Sequence, residues 1–406
     1  MKMILTELDH RLAKRMEHCE EAATLKIAAQ AAVLRSQGKT IVSLSTGEPN
    51  FPTPDNIKQA AIRAIEQNFT KYTSAEGMPE LRAIVAEKFE KENGIRSSAE
   101  QVLISSGGKH ALSNALFVLC EAGDEIIIPS PFWLSYSAMT SLSEAAPMLV
   151  ETKEENDWLL TPESLAASIT SRSRVLLLNT PHNPTSTLYS EETLRSLVPI
   201  IEEHGLIVVV DELYEKLTYD GRKHFSLGSI PEIAHQVVTV NGLSKAYAMT
   251  GWRLGYATGP EWIISAMGRL QSQAVSHPSS ISQKAAIEAL TGPQESIEIM
   301  RLEFERRRDL VVSLMKDIPG ITFSIPKAAF YVFFSIASYI GKKLPSGKII
   351  FSGEDICEML LQDFGLAIVP GNAFGKTDAI RVSFSASQED IRKGVELLKK
   401  GLSSIV

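Results

Sequence analysis

"VVTVNGLSKAYAMTGWRLGYATG", residues 237–259, starts as an apolar, β-branched run and breaks at Asn241-Gly242 into small residues around one lysine, Lys245. A short run that is apolar throughout suits a strand buried on both faces. The same texture recurs in "VLIS" (102–105), "EIIIP" (125–129), "VLLLN" (175–179) and "LIVVVD" (206–211). Segments of helical period separate these runs, among them "KHALSNALFVLCEAG" (109–123) and "SEETLRSLVPIIEEHG" (190–205), the second closing on His204-Gly205 as a helix end should. Buried strands alternating with helices predict an α/β unit, a mostly parallel sheet covered on both faces.

Beyond residue 290 the texture changes. A long charged helical segment, "ESIEIMRLEFERRRDLVVSLMKDI" (295–318), precedes the strand-like "GITFSI", "AFYVFFSI" and "IRVSFS" and a last helix, "SQEDIRKGVELLKKGL". This predicts a smaller α+β domain over 291–406, a large domain over 46–290, and a mainly helical N-terminal segment, 1–45, packing on the small domain. The Gly/Pro-rich "STGEPNFPTPDN" (45–56) marks the boundary.

Composition narrows the function. The chain has 406 residues, 44% of them apolar and 22% charged, and a formal net charge of −7 without long runs. That balance argues against a nucleic-acid partner. Cys19, Cys120 and Cys357 are odd in number and far apart, which reads as free thiols, not a disulfide frame or zinc site. The opening residues mix charge with apolar positions, unlike a secretory leader, and no apolar run nears the about 18 residues of a membrane span. A cytoplasmic protein is the expectation.

In parallel sheets ligands bind beyond the carboxyl ends of strands, so those ends carry the chemistry. After "VLIS" come Ser106, Gly107, Gly108 and Lys109, then a helix, a setting where backbone N–H groups can cradle an anion. It is no nucleotide phosphate loop: Leu103 occupies the first glycine position and His110 follows the lysine. A plain strand-to-helix turn is the alternative. "LIVVVD" ends on Asp211, a carboxylate that needs a partner if buried; a helix N-cap is one alternative, and a metal, the other, would want clustered His and carboxylate ligands, which the spacing does not supply. Asn183 lies in the turn-rich "HNPTS", where turn chemistry alone could explain it. Lys245 and Arg253 follow the 237–241 run. An anion cradle, a buried carboxylate, an amide, an unpaired amine and a guanidinium are together what pyridoxal phosphate requires.

With those residues in view, the chain resembles the class I aminotransferases of pyridoxal-phosphate fold type I, and is most similar to their bacterial aspartate aminotransferase branch. The resemblance is nearly full-length, through "STGEPNFPTP", "KYTSAEGMPELR", "SSGGKHAL", "PSPFWLSY", "HNPTS", "VVVDELYE", "SKAYAMTGWRLGY" and "AIRVSFSAS". It implies a seven-stranded sheet in the large domain and a ping-pong transfer from an L-amino acid to a 2-oxo acid, aspartate and 2-oxoglutarate foremost. Aromatic amino acids, alanine or prephenate are alternatives. By the resemblance, Lys245 holds the cofactor as a Schiff base and then moves the substrate's proton, Asp211 pairs with the ring nitrogen, and Tyr214 and Asn183 bond the ring oxygen. Trp133 stacks on the ring. Gly107, Gly108 and Lys109, with Ser244 and Arg253, take the phosphate, and Tyr72 reaches the phosphate of a neighbouring subunit in a homodimer. Arg381 clamps the α-carboxylate with Gly47 nearby, and Lys109 favours a second carboxylate on the substrate. The residue pattern agrees for Arg381: alternation in "AIRVSFS" puts it with Ser383 and Ser385, opposite Ile380, Val382 and Phe384. No metal is implied.

Four positions depart from the pattern: Ser186 and Ala328 where glycine is usual, Ala22 where serine is frequent, and His277 where Thr, Ser or Asn is usual. None belongs to the cofactor set. Other reactions of the same scaffold, a β-lyase or cyclising synthase, compete with this reading. A cofactor-sensing regulator would need a basic winged-helix module, for which about 45 mixed-charge residues ahead of "STGEPN" give no room, and a plain nucleotide-binding protein lacks its phosphate loop.

Overall fold

The computed structural model describes residues 13, 15, 16 and 23–406; Cys19 and the departure at Ala22 lie outside them. Strand β1 (Val42–Ser43) follows a helix over Ala23–Ser36, and a seven-stranded sheet then takes shape from β2 (Val102–Ser105), β3 (Glu125–Ser130), β4 (Ala146–Glu151), β5 (Ser173–Asn179), β6 (Ile207–Asp211), β7 (Val237–Gly242) and β8 (Gly255–Thr258). Its order is β2-β8-β7-β6-β5-β3-β4. The pairings from β4 through β7 are parallel, and β8 runs antiparallel to both β7 and β2.

Apolar residues on both sides of each strand explain why helices cover both faces. Val209 joins Leu112, Leu116, Ile126 and Val238 on one side, while its neighbours Val208 and Val210 join Leu176, Leu194 and Leu197 on the other. Beyond β3 the chain moves outward to β4; beyond β5 it moves the opposite way to β6. That reversal opens a crevice at the carboxyl ends of β3 and β5.

A four-stranded sheet follows, β9 (Thr322–Phe323), β10 (Tyr331–Ser335), β12 (Val369–Pro370) and β13 (Ala379–Ser383), in the order β12-β13-β10-β9. Strand β11 (Leu366–Ala367) pairs with β1. Ala31, Leu34 and Ile41 bury themselves against Leu361 and Ala367, so the helix at 23–36 docks on this part of the chain. One core cluster joins the two sheets: Tyr214, Leu217 and Tyr219, from the turn after β6, pack with Phe304, Phe330, Phe334 and Ile380. Among the described residues no helix is long and apolar enough to cross a membrane.

Candidate active site

The site forms where the crevice meets the four-stranded sheet. Strand β6 ends on Asp211, which is buried. Its Oδ2 accepts from the Tyr136 hydroxyl at 2.8 Å and its Oδ1 from Leu213 N at 3.1 Å. Burial pushes this carboxyl up to about 6 although both hydrogen bonds favour its charged form. A carboxylate so placed is short of positive charge.

Lys245, partly buried after β7, donates from Nζ to the carbonyl oxygen of Gly47. The rings of Tyr214 and Phe330 lie 5.7 and 5.9 Å from its amine. Burial brings this ammonium down to about 8, with Arg381 and Arg253 acting in the same direction and Glu48 and Asp211 opposing. An amine of that kind can be uncharged, and so nucleophilic, close to neutrality.

Arg381 heads the large, fully buried side chains among the described residues. Nη1 donates to Asn183 Oδ1 and Nη2 to the Ser45 carbonyl, both at 2.9 Å, while Nε has no partner among the described residues. The rings of Tyr331 and Phe374 flank it at 4.3 and 4.7 Å. Burial lowers its pKa, with the Tyr331 and Tyr214 phenols working against that. Buried cations ordinarily find an anion; among the described residues Arg381 has only neutral oxygens and aromatic faces, an arrangement suited to a carboxylate ligand.

The anion cradle begins at Gly107, which caps the helix over Gly108–Leu119 at φ +92° with no side-chain cap on the helix's first N–H groups. A Cβ at Gly107 would collide with the Arg253 guanidinium, and one at Gly255 with the Gly107–Gly108 backbone. Ser106 and Arg253 share the lining of a cavity of about 700 Å³. Uncapped N–H groups, a close guanidinium and a glycine that leaves room are what a phosphate needs. Ser244 is buried beside Lys245. Lys109 is exposed as a residue, but its amine lies 5.0 Å from the half-buried Trp133 ring, and desolvation of that amine, followed by Arg253, lowers its pKa. The Tyr214 hydroxyl bonds that of Tyr331 at 2.7 Å.

Lys245, Gly47, Tyr214, Asn183 and Arg381 are thus linked through direct contacts and shared partners, Asn179 joins Asp211 to Asn183 by donating to the Asp211 carbonyl and accepting from Asn183 N, and Lys109 and Trp133 form a neighbouring pair. Tyr72 stands apart. It is 90% exposed, edge-on to His277 at 5.5 Å. Three contributors were not singled out from sequence. Tyr136 lay in a quoted motif, "PSPFWLSY", Tyr331 followed the departure at Ala328, and Glu48 adjoined Gly47; each is an ordinary residue type whose role depends on chain segments far away in sequence.

One sequence inference needs correcting. His and carboxylate groups do cluster: Glu212, Glu215 and His224 bring potential ligand atoms within 4.8 Å of one another. Sequence spacing hid this because a loop, not a helix face, delivers His224. The Lys88 ammonium already pairs with Glu215, and His224 Nε2 lies 3.0 Å from Glu212 Oε2, so both carboxylates already have partners.

Comparison with known proteins identifies the family. The profile described as aminotransferase class I and II matches residues 39–398. The aspartate aminotransferase of Rhizobium meliloti strain 1021 is 42% identical over 95% of this chain and 94% of its own length. The aspartate/prephenate aminotransferase of Cereibacter sphaeroides is 42% identical over 94% of this chain and 96% of its own. Among solved structures, an aspartate aminotransferase from Rhizobium meliloti superposes with a TM-score of 0.94 at 41% identity, covering 97% of this chain and 99% of that one. The Thermus thermophilus aspartate aminotransferase with maleate gives 0.90 at 38% identity, covering 96% and 99%. Family profile, relatives and fold converge: the chain belongs to the class I and II aminotransferases.

Proposed function

We propose that this chain moves an amino group from L-aspartate to 2-oxoglutarate, using pyridoxal 5′-phosphate held by Lys245. The observation that carries the reading is Arg381, a buried guanidinium without a counter-ion among the described residues, set in the same site as an amine brought to about 8. The residues fit the cofactor: the uncapped helix start at Gly108 with Arg253 suits its phosphate, and Asp211, short of positive charge, suits a protonated ring nitrogen. Ser244 would assist at the phosphate, Tyr214 and Asn183 at the ring oxygen, and Trp133 at the ring face. When bound, the cofactor supplies an electron sink beside the substrate's Cα.

The chain's own groups do the rest. Arg381 and Asn183, with Gly47, orient the α-carboxylate and so fix where the Cα proton points. Lys245 Nζ, tuned toward neutrality, takes that proton and later returns one. Lys109, exposed at the mouth next to Trp133, meets a second carboxylate, which favours aspartate over alanine or an aromatic donor. Prephenate use is the second reading, favoured by relatives bearing that name.

The same reading makes the enzyme a homodimer, with Tyr72 completing the partner's site, and keeps the division into 1–45, 46–290 and 291–406. It also places the protein in the cytoplasm, in keeping with Cys120 and Cys357, which are free and buried. A panel of amino donors with 2-oxoglutarate tests the assignment. Aspartate should lead, and Lys109→Ala should cut its kcat/KM by about tenfold or more, the scale of one lost charge-assisted contact. Aspartate trailing alanine and aromatic donors would refute the role of Lys109; ammonia release without an oxo acid would refute transfer itself.

A further inference from the structure

Ser186 uses its hydroxyl in a place its backbone makes costly. It sits at φ +58°, the left-handed region where a side chain is strained and glycine is favoured. The residue is fully buried, and three N–H groups of one segment converge on it. Its carbonyl oxygen accepts from Lys327 N at 2.9 Å and Ala328 N at 3.1 Å, and its Oγ accepts from Tyr331 N at 3.1 Å.

The third bond matters because the Tyr331 N–H has no place in the sheet. Successive N–H groups of an antiparallel strand point to opposite sides. Phe384 N donates to Phe330 O, which turns Phe330 toward β13 and leaves the Tyr331 N–H facing away. On that side β9 reaches only Phe334 and Ser335. Ser186 Oγ fills the gap. Tyr331 in turn bonds Tyr214 through its hydroxyl and lays its ring 4.3 Å from the Arg381 guanidinium. Asn183, in the same loop as Ser186, accepts directly from Arg381. One loop therefore holds Arg381 twice, by Asn183 directly and by Ser186 through Tyr331.

We propose that Ser186 is a positioning residue whose hydroxyl latches the start of β10 to the 182–186 loop and presets Arg381 for a carboxylate ligand. The inference rests on the reading of Arg381 as the carboxylate clamp. Without the hydroxyl the Tyr331 N–H is buried without an acceptor, the strand end shifts, and fewer molecules hold Arg381 in place. Apparent carboxylate affinity falls by that fraction.

Two measurements test it: calorimetric titration of succinate, a dicarboxylate with no amino group, into protein loaded with pyridoxal phosphate, and amide exchange at Tyr331 in cofactor-free protein. Ser186→Gly is decisive, since it relieves the strain while removing the hydroxyl. It should bind succinate about tenfold more weakly and exchange Tyr331 about tenfold faster, the scale of one hydrogen bond. Ser186→Ala keeps the strain and should be impaired at least as much; should it fail to fold, the glycine variant alone decides. Unchanged succinate affinity in Ser186→Gly overturns the latch, whether or not exchange accelerates. No succinate binding by the wild type overturns the reading of Arg381 together with the latch.

Discussion

Asp211 carries its charge at a cost to the fold. Burial raises its carboxyl from the ordinary 3.8 to about 6, so its contribution to stability is complete below pH about 4 and declines as pH rises through about 6. Asp211→Asn should therefore stabilise the cofactor-free protein above pH 6, by up to about 3 kcal/mol, and change it little at pH 4. Urea unfolding at the two pH values checks this; an equal gain at both would contradict it. Lys245 is displaced the other way, from 10.5 down to about 8, and only its uncharged form attacks an aldehyde. Capture of pyridoxal phosphate by cofactor-free protein should accelerate as pH rises and level off above about 8, followed by stopped-flow absorbance; a rise continuing toward pH 10.5 would mean an ordinary lysine. Both residues were legible by type, since an acid ending a buried strand and an amine among small residues are rare. Their partners were not: Tyr136 lies 75 residues from Asp211 in the chain, and Gly47 lies 198 from Lys245.

At the scale of elements, the strand-to-helix turn at Gly107 does most to shape the site. Its φ of +92° and the nearness of Arg253 leave no space for a side chain. Gly107→Ala should cost about 1–3 kcal/mol of stability and weaken pyridoxal phosphate binding by more than about tenfold, measured by equilibrium dialysis; wild-type affinity would show that the cradle tolerates a Cβ. The buried strands were readable because continuous β-branched runs have few other uses. Two strands were not. Strand β8, "GYAT", is short and small-residued, and continues a loop without a break in texture; β4, "APMLVE", contains a proline and sits at the sheet's edge with mostly exposed or half-buried residues. The four-stranded sheet was visible in outline from its aromatic runs, whereas β11 and β12, two residues each, leave no periodic signal.

For the whole molecule, the packing of Tyr214 and Tyr219 with Phe304, Phe330 and Ile380 ties the two sheets together around the site. Sequence periodicity marks which residues are apolar but not which distant ones meet, so this joint was beyond reach, as was the cluster of Lys88, Glu212, Glu215 and His224. Tyr72 belongs to a larger scale still. It is 90% exposed and backed by His277, so the role proposed for it would be exerted only in an assembly. Sedimentation should give a dimer, and Tyr72→Phe should speed loss of pyridoxal phosphate several-fold, the effect of one hydrogen bond to phosphate, without altering the dimer. A monomer that retains the cofactor unaided would remove Tyr72 from the site.

The chemistry as a whole rests on one bond. Purified protein incubated with pyridoxal phosphate, reduced with borohydride and digested should yield a single phosphopyridoxyl peptide, carrying the modification at Lys245, and Lys245→Ala should yield none. Modification at another lysine alone, or an unmodified Lys245 in protein that still transaminates, would contradict the mechanism.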